Sequence, residues 1–367
     1  MKRVLGLIVS VMMLFLVVGC KDGDSPGKTN APSGSPENTQ SSEINVTANV
    51  IMTINGYEIS EDVYKLMLYE EAERFRLETD PQEELDEEEY AEWYAGFFDT
   101  EIDGKSVVDI IKERTLTPLK EYAYFMKEVR NKGIVFDSSE IIDIETEEII
   151  LLGDEYNSDD PDEYFIYKYG VTKRQYLDFS ISQRLIEAYL DREGPNQEIG
   201  NQQIEEYKEL YGDYYAIKTL RSVFLSVKSE TELNIKTVIA NEVLAKIKQG
   251  VDIKALVAEY SEDDSSSEGL FVVSSEENDY PHDIIEWVMS AKIGDSGIVS
   301  SYDGIYIIKC EEVKFDENEI KKDIGREIII DFVEIEINKS EYEPKFDMEV
   351  YSKYIKLPGD LMPEGLQ

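Results

Sequence analysis

Few side chains in this 367-residue sequence are equipped for covalent or metal chemistry: one histidine, His282, and two cysteines, Cys20 and Cys310. A single imidazole excludes a multi-His zinc centre and makes any Ser-His-Asp or Cys-His mechanism depend on His282 alone. His282 follows Pro281 at the start of a helical stretch, where a partly exposed polar residue is unremarkable, so it reads as a surface or groove residue before a catalytic one. The acidic run 80–89, DPQEELDEEE, has neither the alternating ligands nor the central Gly of a calcium loop and reads as a solvated segment. Neither metal nor cofactor is expected. Cys310 closes the apolar run Ile305 to Cys310 and reads as a small core residue on a strand, with no intramolecular disulfide.

The remaining chemistry is electrostatic. With 79 Asp+Glu against 37 Lys+Arg the net charge is −42, which repels phosphate backbones and anionic headgroups and so excludes a nucleic-acid partner. At 42% hydrophobic and 11% aromatic residues the chain still has the material for cores, and its length suits two or three domains.

The first twenty residues, MKRVLGLIVSVMMLFLVVGC, place Lys2 and Arg3 ahead of an apolar run from Val4 to Val18 that is too short for a bilayer span. Val17-Val18-Gly19-Cys20 resembles the lipobox of bacterial lipoproteins, which implies a signal peptide over 1–19 and lipid on Cys20 as the first mature residue. The expected location is therefore the extracytoplasmic face of a bacterial membrane. Residues 20–43 are rich in Ser, Gly, Pro and Asn and read as a flexible tether.

Order is expected from about residue 44. Asn45 to Ile59 reads as two short strands around an Asn55-Gly56 turn, and Ser60 caps a helix beginning Glu61-Asp62. Apolar residues at helical intervals predict helices over Ser106 to Asn131, Ser138 to Leu152, Pro161 to Tyr169, Thr172 to Asp191 and Ile199 to Leu210. The pattern changes at Ile217. Strands at Leu220 to Val227, Leu270 to Val273, Gly297 to Ser300 and Ile305 to Cys310 alternate with helices at Glu232 to Gln249, Ile253 to Tyr260 and Asp283 to Met289. Asp316 to about Ile337 is a last helix, followed by a Pro-containing extended tail. The fold class is α+β: a mainly helical domain over 44–216, a small β-α-α-β-α-β-β domain over 217–313, and a carboxy-terminal helix and tail over 314–367 that fold back onto the helical domain.

Within 217–313 several stretches occur in a telling order. Phe224-Leu225 lies in the opening strand, followed by Gly250-Val251-Asp252-Ile253, Leu256-Val257 and Glu259-Tyr260-Ser261-Glu262-Asp263. Pro281, Trp287 and Met289 mark a helix, Lys292-Ile293-Gly294-Asp295 a turn, and Tyr302-Asp303-Gly304-Ile305-Tyr306-Ile307-Ile308-Lys309 the closing hairpin. By order and spacing this region resembles the parvulin family of peptidyl-prolyl isomerases, in the arrangement of PrsA- and SurA-like extracytoplasmic foldases. Ile51 to Tyr64 and Gly170 to Leu190 are similar to flanking chaperone segments of the same proteins.

The resemblance also implies which residues sit at the site. Active members carry two His and an acidic or Cys residue that shape the proline pocket. Here the first His position falls at Ser222 or Val223, the second is Tyr306, and Asp263 matches the acidic member. Phe271 and Trp287 fall among the groove residues, while Asn278 and His282 stand where Met and Phe are usual. Prolyl isomerisation needs neither nucleophile nor metal: an enzyme lowers a barrier of about 18–20 kcal/mol by gripping the ring and favouring the twisted amide. Loss of both imidazoles predicts weak or absent catalysis.

The leading expectation is thus a lipid-anchored foldase or chaperone whose partners are unfolded or newly secreted polypeptides. The alternatives are a working isomerase for secreted proteins and a solute-binding lipoprotein, the latter requiring two α/β lobes that the pattern lacks.

Overall fold

The computed structural model describes residues 49–79, 93, 96–152, 161–263, 268–273 and 280–355. The expected signal peptide, Cys20, the tether, the acidic run 80–89 and Asn278 lie outside the described residues. By contacts the chain divides into two compact units, 1–192 with 327–367 and 193–326.

In the first unit, β1 (Val50–Ile54) and β2 (Tyr57–Ser60) form an antiparallel hairpin. Asn55 and Gly56 turn it with φ of 47° and 75°, the left-handed pair that a two-residue hairpin requires. The helices α1 (Glu61–Thr79), α2 (Val107–Lys132), α3 (Ser138–Leu152), α4 (Pro161–Tyr169) and α5 (Lys173–Glu193) follow. Ser106 caps α2 by accepting from the Asp109 amide at 3.1 Å. Tyr64, Phe98, Ile111, Leu119, Phe165 and Leu190 are almost wholly buried and anchor the core. Glu71, 2% exposed at its side chain, is held by Arg74 at 2.9 Å and by Arg114, which also reaches Glu78 at 2.8 Å.

Two features of this unit depart from the expectation. A second hairpin, β3 (Glu101–Ile102) with β4 (Lys105–Ser106), precedes α2. The segment expected to be an extended tail contains β9 (Lys345–Phe346) and a helix, Met348–Tyr354. β9 pairs antiparallel with β1 through Met52↔Phe346 and Thr53↔Lys345. Asp347 then caps the helix, accepting from the Glu349 and Val350 amides at 3.1 Å. Pairing across this sequence separation leaves no local signal.

The second unit holds α6 (Asn201–Tyr215), β5 (Ala216–Ser226), α7 (Glu230–Lys248), α8 (Ile253–Tyr260), β6 (Leu270–Val273), α9 (His282–Ser290), β7 (Ser296–Ser301) and β8 (Gly304–Phe315). From β5 onward the element order is the expected one. The sheet is antiparallel in the order β6-β5-β8-β7. Successive strand residues point to opposite faces, so each face has its own core. Val223, Leu225, Ile305 and Ile307 pack with α7 and α8 residues such as Val243 and Leu256. On the other face Leu220, Ile308, Cys310 and Val299 pack with Ile284 and Val288 of α9. Cys310 is thus a fully buried core residue.

Candidate functional site

The face of the sheet toward α9 carries the candidate site. Residues alternate between the two faces along β5, so Leu220 and Val223, three apart, lie in opposite cores; the register shift in the β5–β8 pairing is taken up in β8 at Glu311. Ser222 and Phe224 therefore share the α9 side with Tyr306, while Val223 is fully buried on the other. This separates the two positions that sequence left open: Val223 is a core residue and Ser222 is a partly exposed member of the site face.

Phe224 and Tyr306 are direct partners across β5 and β8, with ring centroids 4.7 Å apart. Their closeness to the hairpin end depends on Gly304, where a Cβ would come within 2.4 Å of the Leu225 carbonyl oxygen and 2.6 Å of the Phe224 ring. The Tyr306 hydroxyl donates to Asp303 Oδ2 at 2.6 Å. Burial first, and then this bond to a carboxylate, hold the phenol well above its ordinary range, with Tyr302 and Asp263 adding to the effect. Tyr306 is therefore a neutral donor at any physiological pH.

Asp263 reaches this neighbourhood because residues 261–263 occupy an edge of β5. The Glu262 amide donates to the Phe224 carbonyl at 2.8 Å, Ser261 Oγ accepts from the Phe224 amide at 3.2 Å, and Glu262 Oε2 accepts from the Ser226 amide at 3.0 Å. Gly269, at φ of 60°, continues the edge by accepting from the Ser222 amide at 2.8 Å; a Cβ there would stand 2.3 Å from the Ser222 carbonyl oxygen. Asp263 is near enough to act electrostatically on Tyr306, yet no hydrogen bond joins Ser222, Asp263 and Tyr306 to one another. The polar centre of the face is Tyr306 with Asp303.

The expected groove residues are partly gathered. Phe271, opposite Leu220 in the sheet, packs its ring against Tyr280 at 5.2 Å, and both lie against the α9-side core. Trp287 packs on the same core and over Gly297 of β7, where a Cβ would meet its indole nitrogen at 2.5 Å. His282 is exposed at the first turn of α9.

Two residues that sequence reasoning passed over prove important. Asp303 was legible only as part of a turn, although its place three residues before Tyr306 is what lets a hairpin return the carboxylate to the ring. Lys218, 3% exposed, donates to the carbonyls of Val288, Met289 and Ala291 at 2.9, 2.7 and 3.0 Å. It satisfies the carbonyl end of α9 and complements the negative pole of that helix, fixing the wall that carries Trp287. Its signal was a lysine at an inward position of a strand. Elsewhere in this unit an open cleft of about 580 Å³ is lined by Leu210, Tyr211, Tyr214, Ile293 and Phe315 among others. Among the described residues no group of His, Cys, Asp and Glu is arranged to hold a metal ion, and no helix is long and apolar enough to cross a membrane.

Residues 216–314 match the PPIC-type PPIase domain family. Over 281 residues the chain is 21% identical to the foldase protein PrsA of Caldanaerobacter subterraneus, covering 74% of this chain and 77% of the relative. Among solved structures it is similar to PrsA from Lactococcus lactis (15% identity, 84% of this chain, 99% of that one, TM-score 0.32). It is also similar to PrsA from Bacillus subtilis (21% identity, 70% and 91% coverage, TM-score 0.26).

Proposed function

We propose that this chain, a PPIC-type rotamase domain set in a PrsA-like foldase, assists the folding of secreted polypeptides outside the cytoplasm with little isomerase turnover of its own. The observation that carries this reading is the make-up of the α9-side face. It keeps an aromatic surface in Phe224, Tyr306, Phe271 and Trp287, while its polar centre is a phenol tied to Asp303. Such a face offers a proline ring apolar contact. A neutral tyrosine engaged with a turn carboxylate, with Asp263 not bonded to it, supplies no imidazole network to favour the twisted amide.

Lipid on Cys20 supports retention at the membrane that the mature chain's negative charge cannot achieve electrostatically. The same charge keeps complexes with unfolded chains soluble and favours basic clients. Tyr306, Asp263 and Ser222 are the residues assigned to the residual site, with Phe271 and Trp287 lining it.

A second reading, a working isomerase, is favoured by the electrostatic influence of Asp263 on Tyr306. The two separate in one assay. Cis-trans exchange of a proline peptide at the uncatalysed rate, unaltered by Asp263→Ala or Tyr306→Phe, together with suppression of client aggregation by the full chain, supports the foldase reading. Strong acceleration lost in Asp263→Ala supports the isomerase, and failure to bind any unfolded protein removes the foldase reading.

A further inference from the structure

We infer that the α9-side groove selects polypeptides bearing a lysine or arginine beside the bound proline, read by the Asp303 carboxylate against the Phe224 and Tyr306 rings. The inference rests on the reading of this face as a proline-binding groove, and it names the substrate class that groove prefers.

Several acids around this sheet are held in ion pairs. Glu262 is held by Lys236 at 2.6 Å, Glu268 by Lys254, and Glu311 by Arg221 at 3.2 Å. Asp303 differs: it has no ion pair with any described lysine or arginine. Its Oδ2 accepts only from the neutral Tyr306 hydroxyl, and its Oδ1 has no hydrogen-bond partner. Ser301 Oγ, at the other side of the same turn, is likewise without one. A carboxylate whose second oxygen is shielded and unpaired carries a desolvation cost that a donor or cation relieves.

The surroundings define which donor fits. Phe224 and Tyr306 present two partly buried rings at 4.7 Å and 44° immediately beside this carboxylate. An aromatic surface next to an anion suits a guanidinium or ammonium, which gains from the ring face and the carboxylate together. Asp263, acting on the same Tyr306, adds a second negative charge and repels an acidic side chain. The turn closes the β7–β8 hairpin; Asp303 is half-buried with Oδ1 covered, so a cation flanking a proline held over the rings is attracted by the carboxylate at close range rather than through direct contact with Oδ1.

The test uses the full chain and four fluorescein-labelled peptides identical except for Lys, Arg, Ala or Glu before the proline, titrated by fluorescence anisotropy. Lys and Arg peptides are expected to bind about fivefold tighter than the Ala peptide, and the Glu peptide more weakly. That gap closes in Asp303→Asn and at high salt, where the charge interaction is screened. Because the net charge of −42 also gives basic peptides a salt-sensitive advantage, Asp303→Ser is the second variant should Asp303→Asn fail to fold, with the gap compared with wild type at one fixed salt concentration. Equal affinity for all four peptides, or a basic preference undiminished in folded Asp303→Asn, overturns the inference and leaves the groove reading intact. Absence of binding by all four overturns the groove reading and the inference with it.

Discussion

Tyr306 does most to define the site, because one hydroxyl commits it to the Asp303 turn. Tyr306→Phe removes a hydrogen bond to a carboxylate and is expected to destabilise the second unit by about 1–2 kcal/mol in urea melts. Gly304→Ala places a methyl against the Leu225 carbonyl and the Phe224 ring, and should lower the melting temperature more than Gly294→Ala, where a Cβ meets nothing within 4 Å although φ is 89°. Lys218→Met leaves three carbonyls at the end of α9 without their donor. A loss of about 2–3 kcal/mol is expected, and an unchanged melt would show that those bonds contribute nothing net. At this scale the sequence was informative about residue type and weak on partnership. Ser222, Asp263 and Tyr306 were picked out by position in a pattern, and two of them share the face. That Tyr306 bonds Asp303 depends on hairpin geometry, and the Ser222/Val223 ambiguity is resolved by which face of β5 packs against α9, a tertiary fact that spacing does not reveal.

Among the elements, α1 and α2 carry carboxyls whose titration couples to folding. Glu121 is pushed up to about 7, chiefly by burial and then by Glu334, with Arg74 opposing. Glu70 is likewise pushed up to about 7 by burial, with Arg74 lowering it and Glu71 raising it. Each holds its proton in the folded chain at pH values where the unfolded chain has released it. The folded state therefore binds more protons between the ordinary carboxyl value of 4.5 and about 7, and stability from these groups is full below that window and lost as pH rises through it. Glu121→Gln should flatten the fall in urea-melt stability between about pH 3.5 and pH 8, values bracketing the window by about one unit; an identical slope would contradict the assignment. The elements themselves were largely legible: periodicity found α2 to α5, and the order β5-α7-α8-β6-α9-β7-β8 followed from alternation and turn residues. What escaped were the β3–β4 hairpin, too short for a period, and β9 with the Asp347-capped helix, whose stabilising partners lie at the other end of the sequence.

For the whole molecule the governing number is −42. Self-repulsion of this size opposes compaction, so added sodium chloride should raise the melting temperature by screening it while weakening the binding of basic clients. A melting temperature independent of salt would mean that the acidic residues are too dispersed for their repulsion to matter. The central claim is that the chain binds proline-containing polypeptide on an aromatic face without accelerating isomerisation strongly. Two-dimensional NMR exchange on a lysine-proline peptide with the full chain reads both quantities in one sample. The expected result is peptide line broadening and shift changes that saturate, with a cis-trans exchange time within about tenfold of the uncatalysed tens to hundreds of seconds. Exchange accelerated by orders of magnitude, or a peptide spectrum untouched by the protein, would contradict it.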